Sequence, residues 1–299
     1  MKKVAVFGQT YTVNASKEIK ILIESLENNN IVIFFEENFY NALKQHGHLT
    51  KKHPTFSNFD ELNNSFDIFF SLGGDGTILR AITYVRDLGI PILGINTGRL
   101  GFLANIQKNA IEESIELLMA KNYRIQERTL LSIHTEPYTE GFDGIFFALN
   151  EITIARKNTT SMIGVKTFLD NEYLTNYWAD GLIIATPTGS TGYSLSCNGP
   201  VISPNSKNFV ITPIAPHNLN ARPMVIPDNT SIALEVDSRE KNFLISLDSR
   251  ITSVPINTKI YIKKSPFTIK TIIPSNQSFL TTLRTKLLWG EDTRNESNL

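Results

Sequence analysis

The stretch FSLGGDGTILR, residues 70–80, sets three glycines, one carboxylate and one threonine between two apolar runs. FDIFFSL, ending at Leu72, reads as a buried strand, and TILRAITYV, from Thr77, reads as the start of a helix. GGDG is then a strand-to-helix turn. In an open parallel sheet, ligands bind beyond the carboxyl ends of strands, which is where such a turn lies. Glycines without Cβ atoms let backbone N–H groups approach an anion, and a helix N-terminus adds unpaired donors and a positive dipole end. Asp75 among those donors is a candidate general base or a ligand to a phosphate-bound Mg²⁺, and equally an ordinary N-cap. The chain has no GxxxxGK[ST] pattern, and GGDGTI lacks the third glycine of GxGxxG.

Outward from this turn, strand and helix patterns alternate through the first part of the chain. Val4 to Gly8, Ile31 to Phe35, Phe66 to Leu72 and Ile90 to Ile95 are short apolar runs. Ile19, Leu22, Ile23 and Leu26 have helical spacing, as do Ile78, Leu79, Ile82 and Val85. Asn109 with Glu112 has the form of a capping box opening a helix that buries Ile111, Ile115 and Leu118. The alternation predicts a mostly parallel sheet covered on both faces. From Arg124 onward extended patterns dominate. Ile163, Val165, Thr167 and Leu169 alternate with their neighbours, and Ile232 to Val236, Phe243 to Leu247 and Lys259 to Lys263 are short β-rich runs. The expected architecture is an α/β domain over 1–124, a β-rich, sandwich-like domain over 125–275, and a terminal segment over 276–299. In that last segment Phe279, Leu280, Leu283 and Leu287 form a helix returning to the first domain, and the tail EDTRNESNL is frayed.

A second constellation, DGLIIATPTGSTGYSLSCNGP, spans residues 180–200. A short apolar run feeds a turn of Thr186, Thr188, Gly189, Ser190, Thr191 and Gly192, followed by Tyr193 and Ser194. Hydroxyls and exposed amides in one loop suit phosphate and ribose oxygens, and a tyrosine beside them suits a base. An ordinary polar loop is the alternative.

Composition narrows the classes. Among 299 residues, Lys+Arg and Asp+Glu are both 29, so no net charge draws the chain to nucleic acid or an anionic membrane. No apolar run is long enough to span a bilayer, and the brief run in MKKVAVFGQT is too short for a signal sequence. The single cysteine, Cys197, permits no intramolecular disulfide. A cytoplasmic protein is expected. His46, His48 and His53 form a loose cluster, but the surrounding NALKQHGHLTKKHP is lysine-rich and loop-like and makes a poor metal site. Arg99 and Arg222 are candidates to meet phosphates, with Arg222 before Pro223 better suited to bracing an interface.

The chain resembles the NAD kinases, which phosphorylate the adenosine ribose of NAD. The resemblance rests on LGGDGT (72–77), GINTGRLGFL (94–103), LNE (149–151), DGLIIATPTGSTGYSLS (180–196), ITPIAPHNLNARPMVIP (211–227) and LRTKLLWG (283–290). GGDGT is shared with lipid kinases of the diacylglycerol class, whereas the second block is much more specific. What the resemblance implies is an α/β domain, a β-sandwich and a last helix packed back on the first domain. It assigns Asp75 to accept the 2′-hydroxyl proton and to help position metal and nucleotide, with Gly74, Gly76 and Thr77 as the phosphate-binding turn. It assigns Asn150 and Glu151 to the ribose hydroxyls, and Asp180 to the nicotinamide end. Thr188, Gly189, Ser190, Thr191, Gly192, Tyr193, Ser194, Leu195 and Ser196 correspond to the nucleotide-binding loop. ATP and NAD are the implied substrates, with Mg²⁺ or another divalent metal accompanying ATP and a homodimer or homotetramer as the assembly.

The sequence departs from the family pattern at Gly192, usually alanine, and at Cys197–Asn198, often Ala–Gly. Ser161, Trp178 and Arg250 lie where some bacterial members carry other NAD contacts. Two other readings are a lipid kinase sharing GGDGT, which has no use for TPTGSTGYSLS, and a non-catalytic NAD-binding regulator, which could dispense with Asp75.

Overall fold

The computed structural model describes residues 1–9, 16–98, 101–104, 106–158, 161–218 and 220–289. Arg99, the tail from Gly290 and Leu219 of the 211–227 motif lie outside these residues. The chain divides into two compact units: Met1–Gln126 together with the chain from Ile269 onward, and Glu127–Thr268.

In the first unit the elements run β1 (Lys3–Gly8), α1 (Ser16–Asn28), β2 (Val32–Glu36), α2 (Glu37–Gln45), β3 (Thr55–Phe56), β4 (Ile68–Leu72), α3 (Asp75–Val85), β5 (Ile92–Asn96), β6 (Ile106–Gln107) and α4 (Ile111–Met119). The strands lie in the order β5-β4-β1-β2-β3, every pair parallel, with β6 added beside β5. Val4, Val6, Ile33, Phe35, Ile68, Phe70 and Leu93 make one core with the α1 stripe Ile19, Leu22, Ile23 and Leu26. From β1 the chain first adds β2 and β3 on one side, then returns to place β4 and β5 on the other. The carboxyl ends of β1 and β4 therefore border a topological switch point, and the GGDG turn follows β4 directly.

Two local expectations differ from the structure. The capping box at Asn109 and Glu112 does not form. A 3₁₀ turn over Lys108–Ala110 runs straight into α4, whose N-cap is Ala110 with no side-chain bond. Asn109 is already inside helical backbone, so it cannot reach back to cap. The lysine- and histidine-rich stretch was read as loop, yet α2 covers its first part. Phe39 and Leu43 supply a buried i,i+4 pair, and the buried Glu36 accepts from the Phe39 N–H at 2.9 Å. His46, His48 and His53 are separated there. His46 bonds the Ala42 carbonyl, His48 meets Ser16, and His53 sits against Glu27 and the Phe35 ring.

The remaining elements are β7 (Tyr123–Glu136), β8 (Phe147–Ala148), β9 (Glu151–Arg156), β10 (Ile163–Leu169), β11 (Glu172–Ala179), β12 (Gly181–Ala185), α5 (Tyr193–Ser196), β13 (Asn208–Ile214), β14 (Met224–Pro227), β15 (Ile232–Asp237), β16 (Asn242–Leu247), β17 (Arg250–Pro255), β18 (Lys259–Pro274) and α6 (Phe279–Leu287). The second unit packs the antiparallel set β11-β10-β15-β18 against a six-stranded antiparallel sheet, β14-β13-β12-β9-β16-β17. Val165, Leu234 and Ile260 from the first set share a core with Ile152, Ile154, Ile184, Phe209 and Phe243 from the second, which is a sandwich. β12 is buried at every residue. Leu182 and Ile184 face the sandwich core, while Ile183 and Ala185 face a smaller cluster with Ile202 and Val210. The segment after β12 thus covers its outer face, which explains a continuous apolar run in an antiparallel sheet.

The last helix belongs to the first unit. Ser278 caps α6 by accepting from Thr281, and Leu283 is buried. Phe279 packs near Phe102 at 6.5 Å between ring centroids, and Asn276 bonds Glu113. No helix among the described residues is long and apolar enough to cross a membrane.

Phe70 is wholly buried in the middle of the parallel sheet. Phe70→Ala is expected to lower unfolding free energy by about 3–5 kcal/mol, read as a shifted urea midpoint at constant slope.

Candidate active site

In the first unit, α3 begins at Asp75 itself, with Gly74 as an N-cap that offers no side-chain bond. Asp75 is therefore not an N-cap. Its carboxylate instead turns to a neighbouring loop, where Oδ2 accepts from the Phe102 N–H (2.8 Å) and Oδ1 from Leu103 (3.0 Å) and Ala104 (2.9 Å). That loop approaches closely only because residue 101 is glycine. A Cβ there would stand 1.9 Å from Asp75 Oδ1. Thr77 is buried at the base of the turn and its N–H bonds the Gly74 carbonyl. Gly74 and Gly76 differ from their neighbour at 101. Both are exposed, and a Cβ on either would meet no protein atom within 4 Å. An anion can approach their backbone without obstruction.

In the second unit, Asn150 lies in the bend that follows the short strand β8, and Glu151 opens β9. The loop after β12 packs onto them. The backbone of Gly189 lies so near Asn150 that a Cβ would come 2.0 Å from its carbonyl oxygen. Thr186 ties the two segments, donating its Oγ1 proton to the Leu149 carbonyl (2.6 Å) and its N–H to the Asn150 carbonyl (2.9 Å). Hydroxyls in the loop fall into two groups. Ser190 donates to the Pro187 carbonyl and accepts from Ile202, and Ser194 pairs with Thr212, so both are spent inside the protein. Thr191 is half-buried and Tyr193 is 45% exposed, leaving the ring a free face. Gly192, with Leu195 and Ser196 beyond it, lies along the same short turn and helix. A Cβ at 192 would come 3.0 Å from Glu151 Oε2, so glycine here gives that carboxylate more room than the family's alanine.

The electrostatics centre on Glu151. Burial first, then the charge of nearby Asp248, pushes its carboxyl up to about 8, against one opposing hydrogen bond from the Tyr193 N–H. Glu151 Oε2 and Asn150 Oδ1 are both buried and without a protein partner. Tyr193 is also shifted upward, by burial and by the charges of Cys197, Asp180 and Glu151. Asp180 forms an ion pair with Arg156 at 2.9 Å.

Sequence reasoning missed two buried charges. Asp248 accepts from the N–H groups of Leu149, Asn150 and Glu151, and Arg128 reaches Thr188 Oγ1 at 3.5 Å. Neither lies in a recognisable motif. Arg250 is occupied structurally, donating to the carbonyls of Ile145 and Phe147. Arg222 is exposed and donates to the Ala221 carbonyl, while Trp178 is 42% exposed on β11. Ser161 is half-buried just ahead of β10. Among the described residues, no three His, Cys, Asp or Glu side chains gather as a metal site.

Two family models match this chain, the ATP-NAD kinase N-terminal domain over residues 4–123 and the ATP-NAD kinase C-terminal domain over 149–273. The chain belongs to the ATP-NAD kinase family. An NAD kinase of Christiangramia forsetii is 55% identical over 295 residues, covering 98% of this chain and all of the relative. That of Flavobacterium johnsoniae is 53% identical over 293 residues, covering 98% and 100%. An Archaeoglobus fulgidus NAD kinase, solved with ATP, superimposes with a TM-score of 0.74 at 26% identity, over 96% of this chain and 98% of the other. Yeast NADH kinase, solved with NADH, shares the fold with a TM-score of 0.85 at 21% identity, over 99% and 89%. The chain is an ATP-dependent NAD kinase, and neither the lipid-kinase nor the non-catalytic reading has support.

The open space at Gly76 gives opposite expectations for stability and activity in this kinase. Gly76→Ala lies in the first turn of α3, where alanine favours helix by up to about 1 kcal/mol. Its thermal midpoint is expected to stay or rise; for the phosphate-binding turn that the resemblance implies, KM for ATP is expected to rise several-fold, because the methyl obstructs approach to the backbone. Differential scanning fluorimetry beside ATP-varied kinetics checks both.

Proposed function

We propose that this NAD kinase uses Asp75 as general base and the Asn150–Glu151 pair as the grip on the acceptor ribose. The reaction joins the 2′-oxygen of the adenosine ribose to the γ-phosphorus of ATP, breaks the bond from that phosphorus to the β–γ bridging oxygen, and releases ADP. The attacking hydroxyl loses its proton, and Asp75 is the proposed acceptor. The observation that carries the ribose assignment is the pair of buried oxygens, Asn150 Oδ1 and Glu151 Oε2, that have no protein partner. Buried polar atoms are nearly always hydrogen-bonded, so these two are set aside for a ligand, and a diol offers two donors.

Gly74, Gly76 and Thr77 are the proposed phosphate turn. Thr188 to Ser196 are proposed to border the NAD, with Tyr193 against a ring and Asp180 toward the nicotinamide end. Since Ser190 and Ser194 use their hydroxyls internally, their part is to shape the turn. With no cluster of three acidic, cysteine or histidine ligands among the described residues, a divalent ion is proposed to arrive on the ATP phosphates, screening their charge. A cytoplasmic location fits the neutral charge balance. Assembly as a homodimer or homotetramer is proposed through the β-rich unit, where the edge strand β14 exposes Met224 and Val225. Light scattering would test the assembly.

Incubation with ATP, Mg²⁺ and NAD, coupled to an NADP-specific dehydrogenase, tests the activity. Asp75→Asn is expected to cut turnover at least about 100-fold. The amide keeps one acceptor oxygen but sets its NH₂ where the other oxygen accepted, at best against the Phe102 N–H, so the melting temperature is expected to fall as well. Near-normal turnover would remove Asp75 from the chemistry.

Above about pH 8, where Glu151 is ionised, Glu151→Gln replaces a charged acceptor by a neutral one, costing about 1–2 kcal/mol, or roughly tenfold in KM for NAD. KM for ATP at saturating NAD is expected to hold. A rise confined to ATP would put Glu151 on the other nucleotide.

A further inference from the structure

Asp248 belongs to no motif and yet controls the backbone from which Asn150 and Glu151 project. It sits in the two-residue turn between β16 and β17, where Leu247 pairs with Arg250. Its φ is 54°, a left-handed conformation that Asp and Asn tolerate better than most residues. The side chain is 1% exposed. Oδ2 accepts from the Leu149 N–H at 3.0 Å, and Oδ1 accepts from Asn150 at 2.8 Å and Glu151 at 3.2 Å. The Asp248 N–H donates in return to the Glu151 carbonyl at 3.0 Å. Thr186 takes the two remaining carbonyls, those of Leu149 and Asn150. Two residues thus satisfy every backbone donor and acceptor of 149–151, and the side chains at 150 and 151 are left unpartnered at Oδ1 and Oε2.

We propose that Asp248 is a positioning residue for NAD phosphorylation, its buried carboxylate clamping the Asn150–Glu151 backbone so that both side chains meet the acceptor ribose. This rests on the reading that Glu151 holds that ribose. A backbone clamp matters because a displacement of about 1 Å at a positioning group costs on the order of 100-fold in rate. A helix or strand ladder could not do the same work, since the turn at 149–151 is where β8 ends and β9 begins.

The clamp has an electrostatic consequence. Burial pushes the Asp248 carboxyl up, and the three N–H donors together with Arg250, 3.8 Å away, oppose that shift and favour the charged form. Burial first, and the Asp248 charge second, raise Glu151, whose other facing groups are the Tyr193 N–H and the Tyr193 phenol. Glu151 in the empty site is therefore neutral below about 8 and ionised above it. An ionised carboxylate is the better acceptor for a diol, so kcat/KM for NAD rises as pH climbs through this range. Removing the charge at 248 lowers the Glu151 value, and the rise moves to lower pH.

Asp248→Asn keeps the volume and the left-handed turn while removing the charge. Steady-state kinetics in each substrate, with pH profiles for wild type, Asp248→Asn and Glu151→Gln, test the proposal. In Asp248→Asn, kcat/KM for NAD is expected to fall roughly 10- to 100-fold, KM for ATP to hold, and the acid limb to move to lower pH. Glu151→Gln is expected to lose that limb. If Glu151→Gln leaves NAD kinetics at wild-type values, the ribose assignment fails and the proposal falls with it. If Glu151→Gln impairs NAD use but Asp248→Asn does not, or impairs both substrates alike with an unmoved pH profile, Asp248 is structural only. Should Asp248→Asn not fold, amide hydrogen exchange on the wild-type enzyme decides. Slow exchange at Leu149, Asn150 and Glu151 supports the clamp, and fast exchange overturns it.

Discussion

A carboxylate that accepts three backbone N–H groups fixes the geometry on which each unit's functional segment depends. In the first unit Asp75 gathers the amides of Phe102, Leu103 and Ala104, and in the second Asp248 gathers those of Leu149, Asn150 and Glu151. Hydrogen bonds to a charged acceptor contribute about 1.5–3 kcal/mol each, more than neutral pairs, and they hold loop backbone that no helix or strand ladder satisfies. The requirement then spreads outward. Gly101 has no Cβ because the carboxylate of Asp75 occupies that space, and Asp248 adopts a positive φ so that its side chain turns inward beneath the loop.

The two carboxylates serve different ends. Asp75 is half-buried at the start of a helix, beside exposed glycines. Asp248 is enclosed, and its charge is compensated by N–H donors and Arg250, which itself holds two backbone carbonyls. Breaking such a buried cluster by removing one member leaves an uncompensated charge, and Arg250 braces the turn that carries Asp248. The residue that gains from this arrangement is Glu151, set among buried neighbours with one oxygen unpaired.

The packing also explains why a run of small polar residues makes a defined surface. Ser190 and Ser194 turn inward, Thr186 staples the loop to the strand beside it, and Gly189 brings the two backbones together. Thr191 likewise donates to the Thr188 carbonyl, and what remains outward are the Tyr193 ring and exposed backbone. The hydroxyl-rich composition that suggested a phosphate or ribose cradle is thus largely internal structure.

The alternation of apolar runs with helical stripes was enough to read a parallel α/β unit, because period and burial are local properties of the chain. Val4–Gly8, the α1 stripe and the β4 strand before GGDG appear where their patterns place them. The β-rich unit and the returning last helix were legible for the same reason, and the motif blocks around Asp75 and Tyr193 carried the family. The capping box at Asn109 failed because a 3₁₀ turn entered the helix first, and α2 was hidden by a polar, histidine-rich composition that a single buried pair outweighs. Tertiary structure alone decided that Asp75 bonds a loop some 27 residues on, that Asp248 lies under residues nearly 100 positions earlier, and that Glu151 is pushed up to about 8. Hydrogen bonds and charges act through space, and no spacing in the sequence encodes which distant backbone a buried carboxylate will meet.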